Sequence, residues 1–284
     1  MLKHLVPTAA RRWTRALRSQ TRWWSGRGPQ KKGIIEDLYY WVADGRLDTL
    51  LPLQNYFSVF FPDIETSTTG TLLLYDADGQ PLGRRAFELL AHGLVKLRIS
   101  QVLQELGVRA PQGYGTLVCD LRMPEAVRAS LDPQEPFYFW DRFYIGYLST
   151  SGQPCFVHGV DKTFVAKIAG GRWDTFYPAG KRYRWIPETP VDLSSYHRFS
   201  VVLINRTSRC ARVTLTISDD DDIASRLTQA IAPFGAHRFE LDERSTRGLD
   251  RQRLRLRVDG MPTRWGRPVV FKEFANGAIS AMHC

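Results

Sequence analysis

The sequence predicts a mostly β protein: two tandem, internally repeated β-sandwich domains behind a short N-terminal helical arm. Three observations predict it. The 22 glycines and 16 prolines are spread along all 284 residues, which suits many short strands joined by turns. Apolar residues alternate with polar ones in Arg212-Val-Thr-Leu-Thr-Ile, Leu254-Arg-Leu-Arg-Val and Arg238-Phe-Glu-Leu, the period of half-buried strands. A set of landmarks also occurs twice in the same order.

The boundaries follow from these landmarks: 1–35 basic arm and linker, 36–165 first sandwich repeat, 172–284 second sandwich repeat. Tyr56–Phe61 (YFSVFF) matches Arg198–Leu203 (RFSVVL) at an offset of 142, and Thr71–Gly79 matches Thr214–Asp222 at 143. Gly93–Ile99 matches Gly235–Leu241 at 142, and Trp41 aligns with Trp185. Tyr147–Gly159 matches Glu273–Cys284 with an offset of 125, which pairs His158 with His283 and implies an insertion in the first half around Met123–Trp140. Asp76-Ala-Asp-Gly and Asp219–Asp222 sit where hairpin turns belong. Within the two halves, helix is expected only in Ala91–Leu106 and Asp222–Ala230.

The formal charge is +10, and residues 1–35 carry nine basic side chains and no acid before Glu36. The folded halves are therefore nearly neutral, which argues against nucleic acid as their partner. At about 100° per residue, Arg11, Arg15, Arg18 and Arg22 form one stripe, with Trp13, Leu17 and Trp24 opposite. Such a cationic amphipathic helix suits an anionic membrane surface, with Arg11, Trp13, Arg15, Arg18, Arg22 and Trp24 as the contact residues. Its acid-poor, arginine-rich composition also fits an organellar targeting segment, and a solvated leader is the plainest alternative. The four cysteines lie far apart without a C-x-x-C pair, so reduced thiols are expected, and a cytoplasmic location with them.

Tyr39–Gly45 (YYWVADG), the turn Tyr75-Asp-Ala-Asp-Gly and the segment Pro154-Cys-Phe-Val-His-Gly-Val-Asp resemble the small β-sandwich family of sensory rhodopsin transducers. The likeness covers about 120 residues of the first half, and reaches the second only through the repeat. It departs at Gly159-Val160, where that family has a longer polar spacer, and the second half lacks the Asp after His283. The resemblance implies a cytoplasmic, oligomer-forming β-sandwich without enzymatic activity, its two halves meeting through an isologous interface.

Candidate chemistry is sparse. Cys155, His158, Asp161, His283 and Cys284 include metal-ligand types, and the repeat puts both histidines at equivalent strand ends. A solvated strand end is the simpler account, so no cofactor is expected. The Asp-rich turns lack the spaced ligands of a calcium loop. Phe137-Tyr-Phe-Trp-Asp-Arg-Phe-Tyr, with Trp140, Asp141 and Arg142, and Arg172-Trp-Asp, with Trp173, combine rings and charges as glycan or small-molecule sites do; packing in the cores and in the seam between the halves is the plainer account. Asn205-Arg-Thr is a glycosylation acceptor only in a secreted chain. Titratable groups are scattered rather than convergent, so the sequence favours a non-enzymatic binding or scaffold protein, acting through a protein partner or self-association. The alternative is an enzyme or lectin-like protein acting on a carbohydrate or cell-envelope intermediate.

Overall fold

The structure is a computed structural model, and it describes residues 34–130, 144–158, 161–163, 183–187, 189–205, 207, 209–219, 223–261 and 268–283. The arm, with Arg11, Trp13, Arg15, Arg18, Arg22 and Trp24, lies outside the described residues, as do Trp140, Asp141, Arg142 and Trp173.

The first half contributes β1 (Ile34–Val42), β2 (Leu47–Gln54), β3 (Thr68–Asp76), β4 (Pro81–Leu89), β5 (Leu94–Arg98), β6 (Tyr114–Arg122), β7 (Tyr144–Ser149), β8 (Pro154–His158) and β9 (Asp161–Thr163). Short helices α1 (Tyr56–Phe60), α2 (Ile99–Glu105) and α3 (Glu125–Ser130) interrupt them. The second half contributes β10 (Tyr183–Trp185), β11 (Arg198–Ile204), β12 (Ala211–Ser218), β13 (Ile223–Ile231), β14 (Ala236–Leu241), β15 (Arg255–Met261), β16 (Val269–Glu273) and β17 (Ile279–His283). Four antiparallel sheets result: sheet A (β4-β3-β6-β1-β9), sheet B (β5-β2-β7-β8), sheet C (β14-β11-β16-β17) and sheet D (β10-β15-β12-β13). The strand order of A recurs in D, apart from the added β9, and that of B recurs in C. The chain is a duplicated pair of β-sandwiches.

The registers of the two halves agree in detail. The β3–β4 ladder shifts between Leu74 and Tyr75, and the β12–β13 ladder between Ile217 and Ser218, an offset of 143. His92 and Phe234, 142 apart, both take positive φ, at 55° and 59°. The β7–β8 and β16–β17 turns close with Gly152 and Gly277 at φ 80° and 81°, an offset of 125. The drop in offset to 125 falls between β6 and β7, where α3 lies, which agrees with the insertion read from the sequence.

Three local expectations are corrected. Tyr56–Phe60 is helical, because Asn55 caps it by accepting the Phe57 N–H at 3.1 Å. The true counterpart of β11 is β2, which sets Asn55 against Asn205. Trp41 and Trp185 are not equivalent: Trp41 pairs with Gly115, whereas Trp185 pairs with Val258, and Val191 bridges Leu254 where Trp41 would stand. Pro187 and Pro190, which have no N–H to give, break the ladder between Trp185 and Val191. Ile223–Ile231 is strand rather than helix, held by pairing with β12 along its length.

Along β1 and β6, sheet A is buried on both faces, while Arg84, Ala86 and Glu88 of β4 are exposed. Tyr39, Leu117 and Leu74 form one cross-strand row, and Tyr40, Thr116 and Tyr75 the next, on the opposite face. The first row joins the core shared with sheet B, while the second meets sheet C. The side chains of β11 divide accordingly. Val202 and Ile204 join the first sandwich's cluster, and Phe199, Val201 and Leu203 join the core of the second. The layers therefore run B, A, C, D.

The contact between sandwiches is heterologous, not isologous. Tyr75 stacks on Phe234 at 4.8 Å between ring centres, Tyr40 meets Phe271 edge-on at 5.7 Å, and the Ala236 N–H donates to the Ala77 carbonyl at 3.0 Å. A charged rim closes it: Arg238 pairs with Asp44 at 3.1 Å, and Arg46 with Glu273 at 3.1 Å. The register-equivalent of Tyr75 is Ser218, and that of Phe234 is His92; neither repeats the contact. Each sandwich thus offers the other a different face. No helix among the described residues is long and apolar enough to cross a membrane.

Candidate functional site on the outer face of sheet D

The outer face of sheet A is covered along β1 and β6, so its counterpart on sheet D is informative. At the positions where sheet A carries Leu73, Tyr75, Thr116 and Val118, sheet D carries Thr216, Ser218, Arg255 and Arg257. The largely apolar docking face of the first sandwich is an arginine and hydroxyl face in the second, where Arg226 repeats Arg84 of sheet A.

Alternation builds this face. On β15, Leu254, Leu256 and Val258 enter the core while Arg255, Arg257 and Asp259 point outward. On β12, Val213, Leu215 and Ile217 are buried and Arg212, Thr214 and Thr216 stand on the other side. The rows then fall into place: Arg184–Asp259–Thr214–Thr228, followed by Arg257–Thr216–Arg226 and Arg255–Ser218. Five arginines share this face with the Asp259 carboxylate. Arg184 and Arg257 each donate to Asp259 through Nε at 2.7 Å, with their side chains 61% and 42% exposed. Burial pushes the Asp259 carboxyl up, but these two hydrogen bonds outweigh it and hold it below the usual carboxylate range. Arg212 and Arg226 are exposed and have no ion pair among the described residues.

A bulge opens a groove in this face. Tyr183 pairs with Met261 and Arg184 with Asp259, so Gly260 has no partner on β10. Gly260 takes φ +83°, and a Cβ there would lie 2.4 Å from the Arg212 carbonyl. The resulting hollow, of about 540 Å³, is lined by Tyr183, Arg184, Arg212, Thr214, Asp259 and Gly260. It offers two guanidinium groups for an anion, a hydroxyl, a carboxylate for hydroxyl donors, and one ring edge.

The histidines named from sequence are brought near one another along the backbone. The Ser151 hydroxyl approaches the Gly277 carbonyl at 3.4 Å, and the Ala281 N–H donates to the Cys155 thiol. Both contacts carry an offset of 126, so edge strands β8 and β17 run side by side in the same direction. His158, opposite Tyr144, and His283, opposite Val269, end these two strands. Asp161 begins β9 in sheet A, opposite Leu38. Burial pushes the Cys155 thiol up to about 11, against the thiolate a nucleophile needs. Among the described residues no group of three metal-ligand side chains converges.

Two other motifs resolve structurally. Asp76 accepts the backbone N–H groups of Asp78 at 2.9 Å and Gln80 at 2.8 Å, which makes the acidic segment a side-chain-closed turn. Asn205 is fully buried and donates to the Arg209 and Ile231 carbonyls, both at 2.8 Å, so it cannot carry a glycan in this fold. Sequence reasoning missed the sheet D face, although the Leu254-Arg-Leu-Arg-Val alternation carries its signal.

No family model and no curated protein matches the sequence. Among solved structures, the chain is similar to the M60 catalytic domain with the CBM51-1 and CBM51-2 domains of Clostridium perfringens ZmpB, at 9% identity and a TM-score of 0.19, over 89% of this chain and 34% of that one. It is also similar to red sea bream transglutaminase, at 11% identity and a TM-score of 0.16, over 87% of this chain and 30% of that one. The chain spans about a third of the length of these proteins, and likeness at that level carries no argument.

Proposed function

We propose that the chain is a non-enzymatic binding or scaffold protein that presents chemically different surfaces on a rigid pair of sandwiches, as its resemblance to the sensory rhodopsin transducers implies. One observation carries this reading: sheet D turns outward the face that sheet A uses for docking, refitted with arginines and a groove. A second exposed apolar surface lies at the end of the first sandwich, where Val59, Phe60 and Leu90 are 58%, 56% and 66% exposed. At the groove Asp259 is tied to Arg184 and Arg257, and among the described residues there none is set up as a base or nucleophile. Self-association through the same docking contact is disfavoured, because arginines replace its apolar side chains. A protein partner, or an anionic ligand on sheet D, fits better.

The test is a panel of neutral and acidic glycans, phosphorylated small molecules and proteins, scored for retention on the full-length chain. Each recovered ligand is then weighed by mass spectrometry. Retention with unchanged mass supports the binding reading, and retention of glycans alone supports the lectin-like form of the alternative; a changed mass supports its other form, an enzyme acting on a carbohydrate or cell-envelope intermediate. The groove's mixture of Arg, Thr, Asp and Tyr favours the lectin-like form of that alternative. The arm supplies a cytoplasmic, peripheral membrane role through its arginines and tryptophans. Co-sedimentation with anionic vesicles, lost on removal of residues 1–32, is the expected result; equal sedimentation of both forms would exclude it.

A further inference from the structure

We propose that the outer face of sheet D is a binding site for an acidic polysaccharide, a polymer of carboxylate-bearing sugars. The proposal rests on the binding-protein reading and names its ligand. Arg184, Arg212, Arg226, Arg255 and Arg257 spread over four adjacent strands, two residues or two strands apart. Those steps are about 7 Å along a strand and about 10 Å across two strands, so the cations form an array rather than a single anion hole. A linear polyanion can engage several at once. Each guanidinium offers a planar fork that matches a carboxylate.

The rest of the face separates a sugar polymer from nucleic acid. Asp259 sits in the middle of the array, in the row of Thr214 and Thr228, whose hydroxyls are 3.0 Å apart. A carboxylate and hydroxyls accept and donate to sugar hydroxyl groups. A DNA backbone brings its charge without hydroxyl donors for Asp259, whereas a carboxylate-bearing sugar carries hydroxyls beside its charge. Unpaired bases need aromatic platforms to stack on, and among the described residues this face has Tyr183 alone, at its margin. The groove made by the Gly260 bulge gives one sugar a seat between Arg184 and Arg212.

The test measures binding of the full-length chain to polygalacturonate, to dextran as the neutral polymer, and to an oligothymidylate of matched charge, at two salt concentrations. Three proteins are compared: wild type, R212E/R226E on the face, and R84E/R109E, which changes net charge equally on exposed arginines of the first sandwich. Thermal unfolding of each verifies the fold. Polygalacturonate should bind wild type and R84E/R109E alike, weaken with salt, and lose at least about tenfold in affinity in R212E/R226E. Binding unchanged in R212E/R226E would assign it to the basic N-terminal residues and overturn the proposal. Tighter binding of the oligothymidylate, lost in R212E/R226E, would overturn it in favour of nucleic acid. Binding of some other ligand type at another surface would sink this inference while leaving the binding-protein reading intact.

Discussion

Asn55 and Asn205 close the same corner of the two sandwiches, 150 residues apart. Asn55 donates its backbone N–H to the Gly93 carbonyl at 3.0 Å, and Asn205 donates to Gly235 at 3.0 Å. Their side-chain amides each reach the carbonyls of a neighbouring loop and of the returning strand end: Thr66 at 2.8 Å and Leu90 at 3.0 Å for Asn55, Arg209 and Ile231 for Asn205. Both residues are almost completely buried, as are Thr66 and Ile231, so the carbonyls of those two have no water to turn to.

Asn55→Ala and Asn205→Ala are therefore each expected to cost about 2–3 kcal/mol, because each leaves buried acceptors unsatisfied. Urea denaturation of each variant measures it. A loss below about 0.5 kcal/mol in either would show that the corner is held by other bonds.

The sandwiches should unfold as one unit only while the Phe234 ring is present. Phe234 stacks on Tyr75, and its carbonyl accepts the Thr116 hydroxyl, so removing the ring leaves a hole in the inter-sandwich seam. Phe234→Ala should cost about 3 kcal/mol and split a single thermal transition into two. A double-mutant cycle with Tyr75→Ala should return a coupling of about 1 kcal/mol. Two transitions already present in the wild type would refute it.

The seam also sets a pH dependence. Burial pushes the Asp44 carboxyl up, but the Leu47 N–H, the Arg238 side chain and the Arg46 groups outweigh it and hold it below its usual range. A depressed folded pKa means that its stabilisation is present above the unfolded value near 3.9 and disappears as pH falls through the folded one. His237 behaves differently: burial alone pulls its pKa below 6.5, so protonation opposes folding. Stability should fall as pH drops from about 6.5 towards the depressed value, and His237→Gln should flatten that slope. Asp44→Asn should flatten only the acid limb. Chemical denaturation between pH 3 and pH 8 separates the two.

Much of the fold was legible because backbone constraints leave marks in sequence. Gly93 and Gly235 follow residues in the left-handed region and must be close to a neighbouring backbone, so the 142-residue match there was sound. The match of YFSVFF to RFSVVL was chance similarity between a capped helical turn and a strand. The real partners, Leu51-Pro-Leu-Gln-Asn and Val201-Val-Leu-Ile-Asn, share little beyond the closing Asn, because Val202 and Ile204 are buried in the seam whereas Pro52 and Gln54 are not. Net charge hid the sheet D face. Its arginines are balanced by acids elsewhere in the fold, and only the strand order gathers them on one side.

The groove on sheet D depends on Gly260, and a contrast with Gly45 tests that. Both take positive φ, at 83° and 84°, so an alanine at either pays a backbone cost of about 1 kcal/mol. Around Gly45 a Cβ meets nothing within 4 Å, whereas at Gly260 it would lie 2.4 Å from the Arg212 carbonyl. That carbonyl is backbone and can yield only if β12 shifts away from β15. Gly260→Ala should therefore lose about 2 kcal/mol or more beyond Gly45→Ala, and should displace Arg212 and Arg184 from the groove. Paired denaturation curves give the first quantity. Equal losses in the two variants would mean that the bulge relaxes freely, and that the groove is not held open by this glycine.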